Sequence, residues 1–305
     1  MLVLVYDSLN DSARRDYVLQ MLDAKQVYSK DANGNLLTYA LKNGRHDLAD
    51  DVLSNTNNIN VSMALSEVLQ KYPDGDKKRE HIADLIKTHA LAHEDCAVIE
   101  KYLTSPCDSI DTKATVINAA VANGMDVSLE FVVRNILPVA GNENTLSILD
   151  AYCSKKLVDD DVFRILNFAC ACKDSKTAVG ALDCLKRGNQ YVLVPSKTVI
   201  AMLSERDLTA SDKISILDKL FEFKVEAKSV EAVMTNYLCF NQDPVATRKE
   251  VILYLLDKSP QLPTSTVQNY VLKCAVDGNE KPAIVKAIFD KGLNTSFFNE
   301  LLSKY

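Results

Sequence analysis

The chain has 305 residues, 47% of them hydrophobic and 25% charged, with a formal net charge of −6. That mix excludes disorder as the dominant state and supplies a sizeable core. The acidic balance disfavours a surface built to displace counterions from a nucleic-acid backbone, leaving room for a local basic stripe. No apolar run reaches the roughly 18 residues of a membrane span, so no membrane insertion is expected.

With nine Gly and eight Pro, few for this length, and Leu, Ala, Lys, Asp and Glu dominant, the sequence favours helices. The opening MLVLVYDSLNDSARR reads as an apolar helix of a truncated first unit. It carries no positive region ahead of its apolar patch, hence neither a secretion signal nor a transit peptide. Asp31-Ala-Asn33-Gly-Asn35 opens like a calcium loop, yet Leu36 and Lys42 stand where glycine and a bidentate glutamate are required. It is read as a turn between helices.

LLTYALKNGRHDLADDVL then predicts a helix to Lys42, an Asn43-Gly44 corner and a second helix with Ala49 five residues after the glycine. A small residue there lets the two helices approach closely. Further first helices are expected to start near 60, 95, 126, 159, 194, 228, 263 and 295, after the one near 33. Along the way, Asp76-Lys77-Lys78-Arg79-Glu80 is the first basic patch. His89 and His93 share metal-ligand spacing, but no glutamate follows His89, and solvent-facing histidines near a helix end are the expectation. Asp159, Asp160 and Asp161 suit the positive end of a helix dipole.

Cys170 and Cys172 are expected on one helix, pointing roughly 200 degrees apart, which fits packing better than a shared metal or a disulfide. The eight cysteines mostly sit among apolar neighbours and form no CxxC pairs, which predicts reduced core residues in a reducing compartment. Lys186-Arg187 is the second basic patch.

From residue 166 a repeat of about 35 residues becomes legible. The segments at 166–188, 201–223, 236–258 and 270–293 bring Leu182, Leu217, Ile252 and Ala287 into one column, and Leu185, Leu220 and Leu255 into another. The break between helices recurs at Lys173-Asp174, Leu208-Thr209, Asp243-Pro244 and Gly278-Asn279, mostly residues that favour turns or N-caps. Ala283 stands five residues after Gly278, as Ala49 does after Gly44. A lone hairpin cannot bury both apolar faces, so neighbouring pairs must stack. The expectation is an all-α right-handed α-solenoid of about nine antiparallel helix pairs, a single repeat domain over 1–305. The chain stops at NTSFFNELLSKY, inside an unfinished unit, which reads as a segment of a longer protein.

With no Trp, the chain lacks the tetratricopeptide pattern, and no ankyrin-type turn is present. Asn43, Gly44, Asp47 and Ala49, then Gly278, Glu280, Ala283, Lys291, Gly292 and Leu293, resemble a degenerate pentatricopeptide repeat, most like the leucine-rich pentatricopeptide-motif type of animal mitochondria. The resemblance implies a mitochondrial matrix protein that binds and stabilises messenger RNA together with a small RNA-recognition-motif protein. Counted from Gly278, the family's base-facing position falls at Phe163, Thr198, Val233 and Gln268, and its second reader at Val158, Leu193, Lys228 and Pro263. Thr198 and Gln268 suit hydrogen bonds to base edges; the missing Asp or Asn removes a base-by-base code.

The residues expected to face single-stranded RNA or a partner are therefore Thr198, Gln268, Lys77, Lys78, Arg79, Lys186 and Arg187. No DNA binding, cofactor, metal or catalytic residue is expected: GxSxG, Walker loop and paired CxxC are all absent. Asn10, Asn60 and Asn294 begin glycosylation triplets that read as chance matches or N-caps. The rival reading is a protein-interaction scaffold of another helical-repeat class, armadillo-like or coat-like, without RNA binding.

Overall fold

A computed structural model describes residues 8–10, 13–14, 30–54, 60–88, 93–225, 227–240, 242–258, 264–273 and 281–291. Among them lie sixteen α-helices, and none is long and apolar enough to cross a membrane. Contacts divide the chain into two compact units, Met1–Tyr152 and Cys153–Tyr305.

The first unit holds α1 (Lys30–Lys42), α2 (His46–Leu53), α3 (Val61–Lys71), α4 (Asp76–Thr88), α5 (His93–Leu103), α6 (Ile110–Ala122), α7 (Leu129–Asn135) and a 3-10 turn (Leu137–Val139). Helix α8 (Asn142–Cys153) ends at the boundary. The second unit holds α9 (Asp159–Ala171), α10 (Ser175–Arg187), α11 (Ser196–Leu203), α12 (Ala210–Glu222), α13 (Ala227–Phe240), α14 (Val245–Lys258), α15 (Thr264–Lys273) and α16 (Lys281–Asp290). The first helices expected near 33, 60, 95, 126, 159, 194, 228 and 263 begin at 30, 61, 93, 129, 159, 196, 227 and 264. The one near 295, and the Gly278-Asn279 corner, lie outside the described residues.

Local chemistry places these boundaries. Asn60 accepts the Met63 N–H at 3.1 Å and Asp174 accepts the Thr177 N–H at 2.9 Å, each satisfying an orphan donor of a first turn. Asn10, the first of the glycosylation triplets, accepts the Ala13 N–H in the same way at 3.0 Å. Thr209 and Asp212 form a reciprocal capping box at the start of α12. At the Asn43-Gly44 corner the glycine has φ +68, a conformation that costs a side-chain-bearing residue energy.

One expectation fails here. Residues 31–35 are not a turn but lie within α1, near the helix N-terminus, where Asp and Asn are well tolerated and a single glycine costs only about 1 kcal/mol.

In the second unit each helix packs on its hairpin partner and on the helix two further along. Thus α9, α11, α13 and α15 form one layer, and α10, α12, α14 and α16 the other. In the first unit α1 packs on α2 and α3 on α4, with α1, α3 and α5 in one row and α4 on α6 in the other. The interior columns explain it. The fourth residue of successive first helices is Ala64, Cys96, Val132, Val162, Val199, Val230 and Val267, none more than 8% exposed. Among second helices Leu182, Leu217 and Ile252, and Leu185, Leu220 and Leu255, are at most 1% exposed. Burying each contributes about 1.5–3 kcal/mol, and it is the neighbouring pair that covers it.

In the last hairpin the register slips by one. Ala283 is exposed and Ala287 half-buried, while Ile284 and Ile288 take the interior at 0%. Ala283 therefore does not hold the two helices together, whereas Ala49, at 0%, does sit in the core.

Polar contacts keep the same period. Ser175 reaches Asp212 across 37 positions, Tyr254 reaches Asp218 across 36, and Lys291 reaches Asp257 across 34. Against the all-α expectation, Leu193–Val194 (β1) pairs in parallel with Lys224–Val225 (β2). Both belong to connectors that leave a second helix and enter the next first helix, so their backbones run alongside in one direction.

Candidate interaction surface

The basic residues picked from the sequence do not form a free cationic stripe. Lys77, 69% exposed, donates to Asp50 at 2.6 Å. Lys78 does not face solvent at all: it is 1% exposed, pairs with Asp108 at 2.6 Å and donates to the carbonyls of Leu69 and Tyr72, each at 2.9 Å. Arg79 contacts Asp76 and donates to the Thr112 hydroxyl at 3.2 Å. Lys186 pairs with Glu222 at 2.5 Å, and Arg187 lies exposed beside it.

Among the described residues the Lys78 arrangement is one of a pair. Lys213, at 0%, meets Asp243 and donates to the Leu203 carbonyl at 2.8 Å, with its ammonium over the Tyr237 ring at 5.8 Å. Lys78 sits over the Tyr102 ring at 5.6 Å. In each case the tyrosine, six residues before the aspartate, donates its hydroxyl to that same carboxylate. Burial first, and then the neighbouring carboxylate, push both phenols well above the usual tyrosine range, so they remain neutral donors. Lys78 and Lys213 occupy the first turn of a second helix. They cap carbonyls of the preceding helix and hold a carboxylate of the next pair.

The reach to a carbonyl of the preceding helix or the turn after it recurs at Lys113, to Ser105 O at 2.5 Å, and at Arg248, to Leu238 O at 3.3 Å. Sequence reading missed this lock, although its signal is present: a basic residue recurs at 78 and 113, and again at 213 and 248, in the same register.

Another hub gathers at Asp50. It accepts Tyr72 Oη at 2.5 Å, Lys77 Nζ at 2.6 Å and His81 Nε2 at 2.8 Å. Burial works against this carboxylate, but the three hydrogen bonds outweigh it and hold its pKa below the usual value. The hub ties α2 to α4.

Thr198 is not presented to a ligand either. It is 5% exposed, and its hydroxyl donates to Asn167 Oδ1 at 3.1 Å, a rung between α9 and α11. Thr235 and Thr266 make the matching rung between α13 and α15 at 2.8 Å. Gln268 is half-buried, and Val233 belongs to the core at 1%. The base-facing positions that the pentatricopeptide resemblance implies thus fall partly on interior columns.

Of the four large hydrophobic residues exposed in the second unit, among the described residues, Phe240 closes α13 and the other three lie along its connectors. Three segments run side by side: 154–158, 188–195 and 223–225. The Gln190 side chain donates to Lys155 O at 2.7 Å and accepts the Leu157 N–H at 3.3 Å, joining the first two. The β1–β2 pairing and the Tyr191–Phe223 ring contact, centroids 6.0 Å apart, join the last two. On this edge Val158 is 65%, Tyr191 58% and Leu193 47% exposed, half of the six large hydrophobic residues exposed among the described residues. The close spacing of the chains here requires Gly188, since a Cβ would meet the Cys153 carbonyl oxygen at 2.2 Å.

Cys170 is buried, and burial pushes its thiol up to about 12; half-buried Cys172, just past the end of α9, is pushed up to about 11 by the same cause. Neither is poised as a nucleophile. Among the described residues no group of three or more His, Cys, Asp or Glu is placed to hold a metal ion, and the His89–His93 spacing lies outside them. An apolar cavity of about 10 Å³ between Val199, Leu217 and Val233 has room for about one water. Comparisons with protein-family models, with curated proteins and with solved structures give no match.

Proposed function

We propose that this chain is a non-enzymatic protein-interaction scaffold whose helix pairs are turns of a right-handed α-solenoid. By the sequence period it has about nine antiparallel pairs. The observation that carries the reading is the state of the cations: Lys77, Lys78, Arg79 and Lys186 each engage a carboxylate of this chain. A phosphate backbone would have to displace those partners before any counterion release could favour binding. Apolar side chains, by contrast, stand exposed and clustered on the connectors of the second unit.

A salt titration with single-stranded RNA tests the choice. A fluorescein-labelled oligouridine of about 20 nucleotides is expected to give no saturable anisotropy change at about 50 mM salt. Binding that weakens steeply as salt rises would overturn the scaffold reading and restore the RNA role that the pentatricopeptide resemblance implies.

A further inference from the structure

We infer that the connector edge of the second unit is the docking site for an extended, acidic segment of a partner protein with large apolar side chains at alternate positions. This rests on the scaffold reading above. Tyr191 and Leu193 are exposed while Val192 is half-buried and Val194 buried, an alternation that puts the first two on the outer side of the connector. Val158 stands on the adjoining connector, held in place by the Gln190 bridge.

Around these three side chains the segments 154–160, 186–197 and 222–223 carry five cations, Lys155, Lys156, Lys186, Arg187 and Lys197, against three carboxylates, Asp159, Asp160 and Glu222. The edge is thus locally cationic in a chain of net charge −6. Lys156, Arg187 and Lys197 are exposed beside the apolar residues. Complementary charge steers and orients an acidic segment, and burial of the tyrosine and leucine supplies the affinity. An extended occupant matches the two-residue alternation of exposure from Tyr191 to Val194, where the connector runs as a strand at Leu193–Val194.

The test uses the full chain and a fluorescein-labelled ten-residue peptide alternating Glu with Leu. Fluorescence anisotropy is expected to show saturable binding that the double variant Tyr191→Ser/Leu193→Ser weakens by about tenfold or more. Lys156→Glu/Lys197→Glu is expected to weaken it too, with loss of its salt dependence. Val139→Ser, at an exposed residue of the first unit, is expected to leave it unchanged. Circular dichroism checks that each variant is folded.

Absence of peptide binding overturns the assignment, as does equal binding of a peptide with Lys in place of Glu. Undiminished binding by the Tyr191/Leu193 variant removes the edge as the site while leaving the scaffold reading in place. A dimer in sedimentation equilibrium that the same variant disperses gives the edge to a second copy and overturns the acidic-partner inference. Binding of oligouridine in place of the peptide removes both.

Discussion

Consider the removal of the Asp243 carboxylate by Asp243→Ala. Lys213 is 0% exposed and the Asp243 side chain 4%, so the ammonium would keep the Leu203 carbonyl but lose its counter-charge inside the protein. Stranding one member of such a pair costs about 3–5 kcal/mol. The Tyr237 hydroxyl, which donates to the same carboxylate at 2.6 Å, loses its acceptor, a further cost of about 1–3 kcal/mol. Lys213→Met deprives the carboxylate of its buried counter-charge instead, at a similar cost of about 3–5 kcal/mol.

The triple variant Lys213→Met/Asp243→Leu/Tyr237→Phe removes these three groups together. Because desolvation of the two ions nearly cancels their attraction, it is expected to lie within about 2 kcal/mol of the native protein. Urea unfolding followed by far-ultraviolet circular dichroism gives the totals. Amide hydrogen exchange over α11 to α14 localises them, since neighbouring helix pairs need not unfold together. If the single changes cost less than about 1 kcal/mol, or if the triple variant is as unstable as the sum of the singles, the lock is not a coupled unit and the reasoning fails.

The same cycle on Lys78, Asp108 and Tyr102 should reproduce the pattern in the first unit to within about 1 kcal/mol, read by the same denaturation and exchange measurements. Gly188→Ala should cost about 1–3 kcal/mol in urea unfolding, because its Cβ would collide with backbone that has no rotamer to relax through. Lys77→Ala and Lys186→Ala, which break exposed pairs, should each leave the urea midpoint almost unchanged, in contrast to Lys78.

Asp74 supplies a pH dependence. It accepts from the Thr112 hydroxyl at 2.5 Å and the Ser109 N–H at 2.9 Å. Burial opposes its ionisation, but these bonds prevail and hold its pKa at about 2, below the ordinary 3.8. Its folded pKa is depressed, so its contribution is present above about pH 4 and lost as pH falls through about 2. Solvent screening at this exposed position limits it to about 1 kcal/mol. Thr112→Val should flatten that acid-side slope in a pH series of urea midpoints.

The sequence by itself determined the helices, their pairing and their period. Leu182, Leu217 and Ile252 recur at a fixed interval and each needs a neighbour to cover it, while residues such as Asp174 and Thr209 mark the starts of second helices through hydrogen bonds that are local in the chain. Local rules and periodic burial operate within one repeat, which is the scale at which a sequence can be compared with itself.

What only the tertiary structure decided was the fate of the polar residues. Lys77, Lys78 and Arg79 are indistinguishable as a run of charge. Yet Lys78 faces the core and Lys77 faces water, because successive residues on a helix point about 100 degrees apart and the carboxylate that receives Lys78 comes from the following pair. The slip at Ile284 and Ile288, the burial of Thr198 and the lateral alignment of the connectors likewise depend on how each pair rests on the next. Those contacts join residues some thirty positions apart, and their energy is set by desolvation at the place where they meet.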